Sequence, residues 1–374
     1  MAMDRLFQLM ADKKASDIFL SVGSPINIKI SGVTVPINQQ IMDNAGVQSL
    51  LAELLNERQM QQFEDTCELN IGYPVSGVGS FRISAFKQRG STAVVIRYIP
   101  YDIPALETLN LPPVLSDLVM EKRGLILMVG ATGTGKSTTM AAMLEWRNQN
   151  VSGHILTIED PIEYIHQHKG CLVNQREVHS DTQSFSNALR AALREDPDIV
   201  LIGEMRDLET VEAALRIAET GHLTFATLHT NSAAQTINRI IDIFPSHQQS
   251  QIRTQLSLVL EGIVCQALMP RTTGGRVCSM EIMIPTPAIR NLIREDKVHQ
   301  IYSAMQTGQE KLGMQTQNQS LATLYLKKLI SLDTALGASS NREELQEMIN
   351  RGVGVVAGAG LRRPGGATPA VIGR

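Results

Sequence analysis

Residues that could bind a phosphate group are concentrated between positions 124 and 138 of the chain. The spacing G-x-x-x-x-G-K-S of a phosphate-binding loop is met by Gly130, Ala131, Thr132, Gly133, Thr134, Gly135, Lys136 and Ser137, with Thr138 next. Such a loop turns tightly at its glycines and points backbone N–H groups at phosphate oxygens. We therefore predict that ATP binds here, that Lys136 contacts its β and γ phosphates, and that Ser137 binds Mg²⁺. The alternative, a glycine-rich turn without a ligand, is disfavoured by the strand-like segment before the loop and the helical pattern after it.

A carboxylate that could polarise water follows a second apolar segment. Residues 199–202 are Ile-Val-Leu-Ile, and Glu204 comes two positions later. Open α/β sheets place ligand-binding groups at the carboxyl ends of their strands. Cleavage of a β–γ phosphate bond needs a group that orients the attacking water. Glu204 is therefore the first candidate for this role, directly or through Mg²⁺, and a solvated glutamate at a strand end is the alternative.

Three further carboxylates, Glu159, Asp160 and Glu163, follow the apolar segment 155–158. Their mutual repulsion would be costly without a cation or hydrogen-bond donors nearby. A role in binding metal or ordering water is thus predicted for Asp160 and Glu163. Glu159 could equally cap a helix or pair with an arginine.

Two histidines, His222 and His229, stand on either side of the apolar segment 223–228. A histidine in such a place is often a structural residue whose ring is fully hydrogen bonded. In a nucleotide-binding domain these two could instead hydrogen-bond the γ phosphate from each end of the strand.

Arginines suited to a bidentate grip on phosphate occur in the first hundred residues, at Arg82, Arg89 and Arg97. Arg82 and Arg97 fall on predicted strands. If they act on the nucleotide, they do so across a domain or subunit boundary. The alternative is that these arginines are simply solvated at the protein surface.

The elements that must position these residues fall into two domains. We predict an α+β domain over residues 1–99, a linker over 100–113 with four prolines, an ATPase domain over 114–351, and a disordered tail over 352–374. Within the first domain, a hairpin turns at Ser31-Gly32 and Asn44 is predicted to cap a helix.

In the second domain, short apolar segments alternate with helical ones, which is typical of βαβ units and a parallel sheet. The fold class predicted is therefore α/β. Strands are expected at 155–158, 199–202, 223–228 and 276–284, and helices at 184–194, 208–219, 232–244 and 248–268, with a helical pattern from Pro287 onward.

Composition excludes several classes of protein. The 374 residues carry a formal net charge of −3, which gives no general attraction to nucleic acid. No apolar segment is long enough to cross a membrane and the first ten residues do not resemble a signal peptide, so we expect a cytoplasmic protein. The four cysteines form no CxxC pair, which argues against a zinc site and a disulfide framework.

Four motifs taken together resemble those of the secretion-type hexameric ATPases. They are GATGTGKST, ILTIEDPIEY, LIGEMRD and GHLTFATLHTNSA, and their order and spacing are similar to the PilT/PilU family, which retracts type IV pili in twitching motility. The segment AIRNLIR at 288–294 resembles an element that retraction in this family requires beyond hydrolysis itself. The resemblance extends from about residue 3 to 349.

The resemblance implies a PAS-like N-terminal domain, a RecA-like C-terminal domain with a helical end, and a homohexamer with ATP at the subunit interfaces. By motif position, Glu204 would be the Walker B glutamate and a ligand of Mg²⁺, Glu163 the acidic-box glutamate, and His222 and His229 the histidine box. Arg82 and Arg97 would be arginines supplied in trans. A platform protein of the inner membrane is the implied partner, with the ATPase peripheral at the cytoplasmic face.

Two functions remain open on the sequence alone. The first is an ATP-hydrolysing motor for pilus retraction, which the four intact motifs favour. The second is an accessory, PilU-like subunit that binds ATP and couples to a second, paralogous retraction ATPase. A DNA translocase is disfavoured by the acidic balance of charge.

Overall fold

The computed structural model describes residues 2–30, 32–99, 102–307 and 312–352. The predicted disordered tail lies, from residue 353 onward, outside the described residues, as does Ser31 of the predicted hairpin turn. The chain divides into two compact units. The first comprises residues up to Ile103 with two later segments, Glu159–His166 and Gln175–Gln183, and the second comprises the rest.

The first unit is built on a six-stranded antiparallel sheet with the order β3-β2-β1-β6-β5-β4. Its strands are β1 (Ala15–Ser21), β2 (Asn27–Ile30), β3 (Val33–Pro36), β4 (Glu68–Val75), β5 (Gly79–Gln88) and β6 (Ser91–Ile99). Its helices are α1 (Ala2–Lys13), α2 (Asn44–Ala52) and α3 (Glu57–Thr66). Alternate residues of β5 point into the core, where Phe81 stacks on Phe7 with ring centroids 4.1 Å apart.

Two details of this unit differ from the sequence prediction. Helix α2 is capped by Asp43, whose side chain accepts from the backbone N–H of Gly46, while the side chain of the predicted cap, Asn44, accepts from the backbone N–H of Thr92. Asp and Asn are both favourable N-cap residues, so the sequence alone could not decide between Asp43 and Asn44. Helix α3 was not predicted, because it buries only Phe63 and offers little apolar periodicity.

The second unit is built on a seven-stranded sheet with the order β13-β12-β7-β11-β10-β8-β9. The strands are β7 (Gly124–Val129), β8 (Gly153–Glu159), β9 (Cys171–Glu177), β10 (Ile199–Ile202), β11 (Leu223–Leu228), β12 (Leu260–Pro270) and β13 (Arg276–Met283). The five strands from β12 to β8 in this order are parallel to their neighbours, and β13 is antiparallel to β12. Every residue of β7, β10 and β11 is buried, as expected for strands covered on both faces.

The helices of the second unit cover the sheet and extend beyond it. They are α4 (Val114–Leu118), α5 (Lys136–Asn150), α6 (Phe185–Ala192), α7 (Leu208–Glu219), α8 (Ala233–Asp242), α9 (Ser246–Val259), α10 (Pro287–Arg294), α11 (Ile301–Thr307), α12 (Gln317–Leu326), α13 (Leu332–Ala338) and α14 (Arg342–Arg351). Helices α12 to α14 have an apolar cluster of their own, around Leu321, Ile330 and Leu345. None of the described helices is both long and apolar enough to cross a membrane.

The prediction of one helix over 248–268 was wrong. Helix α9 ends at Val259, and the chain continues directly as β12 between β7 and β13. A strand buried on both faces is continuously apolar, so its sequence also fits the apolar spacing expected of a helix. Gly262 lies in this strand, where an added Cβ would come within 3.0 Å of the Leu118 side chain.

Candidate active site

The phosphate-binding loop joins the buried strand β7 to helix α5. Gly135 stands at the N-cap position of α5 with φ +86°, a left-handed conformation that glycine adopts without strain. Gly130 has no room for a side chain, since an added Cβ would lie 2.4 Å from the carbonyl oxygen of Gln266. The side chain of Thr134 donates back to the carbonyl of Ala131 at 2.8 Å and closes the turn. Ser137 and Thr138 follow in the first turn of α5, as the motif requires.

Lys136 folds over this loop. Its Nζ donates to the carbonyl oxygens of Gly130 and Ala131, at 2.7 and 3.0 Å, and the residue is only 8% exposed. The ammonium group is therefore held at the loop that leads into the N-terminus of α5. Positive charge and backbone donors thus converge at the N-terminus of α5, which is the arrangement that binds phosphate.

Glu204 lies at the carboxyl edge of the same parallel sheet, just beyond β10. Its Oε2 accepts from Nη2 of Arg206 at 2.6 Å, and its Oε1 is 3.1 Å from Nε2 of His229. Burial by itself would raise the pKa of Glu204, but the hydrogen bond and charge of Arg206, together with His229, outweigh burial and lower the pKa below its usual value. The carboxylate is therefore ionised at neutral pH and can accept a proton or bind a cation.

His229 reaches Glu204 because β10 and β11 are parallel neighbours and end at the same edge. The end of β11 is also joined to the phosphate loop, where the N–H of Gly130 donates to the carbonyl of Leu228 at 3.3 Å. The loop, Glu204 and His229 thus occupy one edge of the sheet.

His222 lies at the opposite edge. It precedes β11, whose six residues span about 20 Å, and its Nδ1 is 3.1 Å from Oγ1 of Thr220 and 3.2 Å from the carbonyl of Ile217. The expectation that both histidines reach one γ phosphate is therefore not met within a single chain. The two histidines flank β11 symmetrically in the sequence, but the length of the strand keeps them far apart in space.

The acidic residues after β8 belong to the first unit. Asp160 and Glu163 are exposed, whereas Oε1 of Glu159 accepts from the side chain of Gln175 at 3.3 Å. Among the described residues no group of three His, Cys, Asp or Glu side chains could hold a metal ion. Mg²⁺ needs few protein ligands when the phosphates of a nucleotide and water supply most of its coordination. Ser137 and the ionised Glu204 offer the oxygen donors that such a site at the phosphate loop needs.

Arg82 and Arg97 are direct cross-strand partners on β5 and β6 of the first unit. Like charges in this relation repel each other. The buried Asp17 of β1 offsets part of the repulsion, since its Oδ1 accepts from Nε of Arg97 at 3.0 Å while the Arg97 side chain stays 64% exposed. Glu177, which accepts from the N–H of Gly72, the other cross-strand partner of Arg82, places a second carboxylate beside the pair. The two guanidinium groups are therefore partly neutralised within the first unit. Arg89 stands apart, at the turn after β5.

Comparison with known proteins places the chain in a family. The model of the family "Type II/IV secretion system protein" matches residues 2–329. The chain belongs to this family.

Within it, the chain is 50% identical over 335 residues to the type IV pilus retraction ATPase PilT of Pseudomonas aeruginosa, covering 90% of this chain and 97% of the relative. It is 44% identical over 353 residues to the type IV pilus ATPase PilU of the same organism, covering 94% and 92%. The crystal structure of the pilus retraction motor PilT with bound ADP matches with a TM-score of 0.86 and 48% identity, covering 92% of this chain and 99% of that chain.

These likenesses confirm the resemblance stated from the four motifs and the α/β fold of an N-terminal domain followed by a C-terminal ATPase domain. They imply a nucleotide site in this secretion-family chain. The PAS-like character of the first domain and the exact domain limits stay predictions.

Two residues of the site were not singled out by sequence. Arg206 follows Glu204 by two positions, and its positive charge in the motif GEMRD could have identified it as a residue of the site. Gln266 touches the phosphate loop from β12, but it had been assigned to a helix. No pattern in the sequence alone brings it to the loop.

Proposed function

We propose that the chain is an ATP-hydrolysing motor that powers type IV pilus retraction, and so pilus disassembly and twitching motility. One observation carries the proposal. The phosphate loop, Lys136 and an ionised Glu204 share one edge of a parallel sheet, in a chain that is 50% identical to a retraction ATPase over nearly that protein's whole length.

Each residue of this edge has a part in hydrolysis. The loop from Gly130 to Thr138 binds the phosphates through its N–H groups, and Lys136 neutralises charge on the β and γ phosphates. Ser137 and Glu204 would hold Mg²⁺, which would supply positive charge that stabilises the phosphates during hydrolysis. Glu204 also orients the attacking water, and Arg206 and His229 keep its carboxylate ionised and fixed.

Glu163 is the alternative base. Its exposure leaves it accessible to water, and the acidic segment follows a strand of the ATPase sheet. We assign the first role to Glu204 because β10 lies nearer than β8 to β7, the strand that leads into the loop, and because Arg206 and His229 hold the Glu204 carboxylate in place.

The working form is proposed to be a homohexamer in which Arg82 and Arg97 act on the nucleotide of the neighbouring subunit. Arg97 is exposed and its cross-strand partner Arg82 is partly exposed, so a nucleotide of a neighbouring subunit could reach both. An arginine supplied in trans raises phosphoryl-transfer rates by about 10³ to 10⁵. Turnover would then depend on ring assembly, with His222 as a further contributor at the interface. The ring would act on an inner-membrane platform protein from the cytoplasmic face.

Phosphate release from the purified, assembled protein tests the proposal. Lys136→Ala, Glu204→Ala and Arg97→Ala should each remove most of the ATPase activity. Arg58→Ala, which changes an exposed arginine of α3 in the same unit as Arg97, is the matched control and should leave it unchanged. Full activity in Glu204→Ala would transfer the role of base to Glu163, and a wild-type protein without ATPase activity would refute the motor.

An accessory role is the second candidate, favoured by the 44% identity to PilU over 94% of the chain. Such a subunit would bind ATP but retract pili only with a paralogous ATPase. A strain in which this chain is the only retraction ATPase separates the two. Twitching in that strain supports the motor, and its absence, with ATPase activity intact in vitro, supports the accessory role.

A further inference from the structure

Gln266 is a buried polar residue on β12, the second strand from one edge of the ATPase sheet, next to the phosphate loop. It lies on β12 one position beyond Cys265, which pairs with Val129, the last residue of β7. The residue is 5% exposed. Its backbone carbonyl is the group that leaves Gly130 no room for a Cβ.

The side chain of Gln266 reaches the far end of the loop. Its Nε2 donates to the carbonyl oxygen of Thr134 at 2.8 Å and would lie 3.0 Å from a Cβ on Gly135. A carbonyl oxygen only accepts hydrogen bonds, so the amide must present its nitrogen to the loop. The remaining atom, Oε1, is buried and has no hydrogen-bond partner among the described residues.

This contact fixes the direction of one backbone donor. The peptide group between Thr134 and Gly135 is planar and trans, so its C=O and N–H point in opposite directions. Holding the Thr134 carbonyl toward β12 turns the N–H of Gly135 away from β12. Gly135 has no side chain to restrict its rotation, and without the Gln266 contact this peptide could turn.

A buried amide with one unsatisfied oxygen is costly, and an apolar side chain of similar size would avoid that cost. Leu268, two positions later on the same strand, shows that an apolar residue can pack against Gly135. The amide at position 266 is thus poorly explained by packing alone.

We propose that Gln266 is a positioning residue of the phosphate loop, which fixes the Thr134–Gly135 peptide so that the Gly135 N–H is presented to a phosphate oxygen of the nucleotide. The inference rests on the nucleotide site of the proposed function and deepens it. Gln266 itself touches the loop, and acts on the nucleotide only through that peptide.

Binding of a fluorescent ADP analogue, mant-ADP with Mg²⁺, measures the effect. Gln266→Met keeps the volume and removes the donor, and should weaken binding about tenfold, the loss expected for one hydrogen bond that orders the loop. The KM for ATP should rise more than kcat falls, because the loop holds the phosphates in both the ground state and the transition state.

The matched control is Gln319→Met. Gln319 is 4% exposed and also uses its amide to hold backbone groups, those of Thr316 and Gln306. This variant should lower the melting temperature without changing the Kd for mant-ADP more than about twofold. Equal weakening of binding in both variants would show a general effect of lost stability and overturn the inference.

Gln266→Glu supplies a second, independent test. An ionised carboxylate would repel the Thr134 carbonyl, whereas a protonated one can donate to it. The ratio of the variant's Kd to the wild-type Kd should therefore fall as the pH is lowered from 8 to 5.5, and the ratio for Gln266→Met should stay constant. Wild-type affinity in both variants, while Lys136→Ala abolishes binding, would overturn the role of Gln266 alone. Absence of binding by the wild type would refute the proposed function instead.

Discussion

Glu204 keeps its negative charge because two neighbours offset the cost of burying it. Arg206 donates to one carboxylate oxygen and His229 lies at hydrogen-bonding distance from the other. A base whose pKa lies below its usual value stays ionised across the neutral range, so it remains able to orient water. The same pair fixes the direction of the carboxylate, which a single ion pair at a surface would not do.

Removal of Arg206 should shift the pH dependence of hydrolysis. In Arg206→Ala, burial still raises the pKa of Glu204, while the largest opposing influence is gone. The acid limb of a plot of kcat against pH should therefore move to higher pH, with a smaller loss of rate at pH 8 than at pH 6. Arg216→Ala, an exposed arginine of α7, is the control and should leave the profile unchanged. An unshifted acid limb in Arg206→Ala would show that Glu204 does not control that limb.

Strand β4 is tied to the acidic segment after β8 by one buried carboxylate. Glu177 is 7% exposed and accepts from the backbone N–H groups of Gly72 and Ile162, at 3.0 and 3.1 Å. Gly72 permits this approach, since an added Cβ would lie 2.8 Å from Oε2 of Glu177. Strand and acidic segment thus form one connected part of the first unit.

Gly72→Ala should break that connection. The new methyl group displaces the Glu177 carboxylate, and the free energy of unfolding should fall by about 1 to 3 kcal/mol, as in other overpacked cores. Urea unfolding of Gly72→Ala, Glu177→Ala and the double variant measures the coupling. We expect the double variant to lose clearly less than the sum of the two single losses, because both act on the same contact. If the losses of the two single variants were additive, Gly72 and Glu177 would not be coupled through this contact.

Strand β13 meets the N-terminus of helix α8 through a second buried carboxylate. Oε1 of Glu281 accepts from the N–H of Ala233 at 2.7 Å, and the thiol of Cys265 lies against the same oxygen. Burial raises the pKa of Glu281, although the backbone donors Ala233 and Gln317 and the Cys265 thiol oppose this. The helix that follows the histidine segment is therefore anchored by a group that titrates.

The stability of this junction should depend on pH. Because its pKa is higher in the folded state, Glu281 contributes most below its unfolded value, and the contribution is lost as the pH rises through the folded pKa. Glu281→Gln cannot ionise. The free energy of unfolding of the variant minus that of the wild type should therefore increase with pH, by at most about 1.4 kcal/mol per pH unit. Urea unfolding at several pH values measures this difference, and a constant difference would show that Glu281 does not titrate in this range.

The same elements show how far sequence alone could go. The limits of α7 and β11 match the predicted ranges 208–219 and 223–228, because an amphipathic helix and a short apolar strand were separated by a clear turn at Gly221. Strand β12 was missed because it is apolar on both faces and follows α9 without a break. Contacts such as Gln266 with Thr134 depend on strand order in the sheet, which local periodicity does not contain.

At the scale of the whole molecule, the candidate groups are divided between two compact units. The phosphate loop and Glu204 belong to the second unit, and the paired arginines Arg82 and Arg97 belong to the first. Such a division is what a ring requires if each subunit completes the site of its neighbour. Head-to-tail interfaces of this kind present different surfaces of the two partners and close into rings.

Mixing two inactive variants decides between action in trans and action within one chain. Lys136→Ala lacks the loop lysine, and Arg97→Ala lacks the arginine. In rings formed at random from equal amounts of both, about one interface in four combines an intact loop with an intact neighbouring arginine, so about a quarter of wild-type phosphate release should return. If Arg97 acted within its own chain, no interface would be complete and the mixture would stay inactive. A mixture of Lys136→Ala with Glu204→Ala should stay inactive in either case, since both changes affect the same subunit's side of the site, and it therefore controls for recovery that arises from assembly alone.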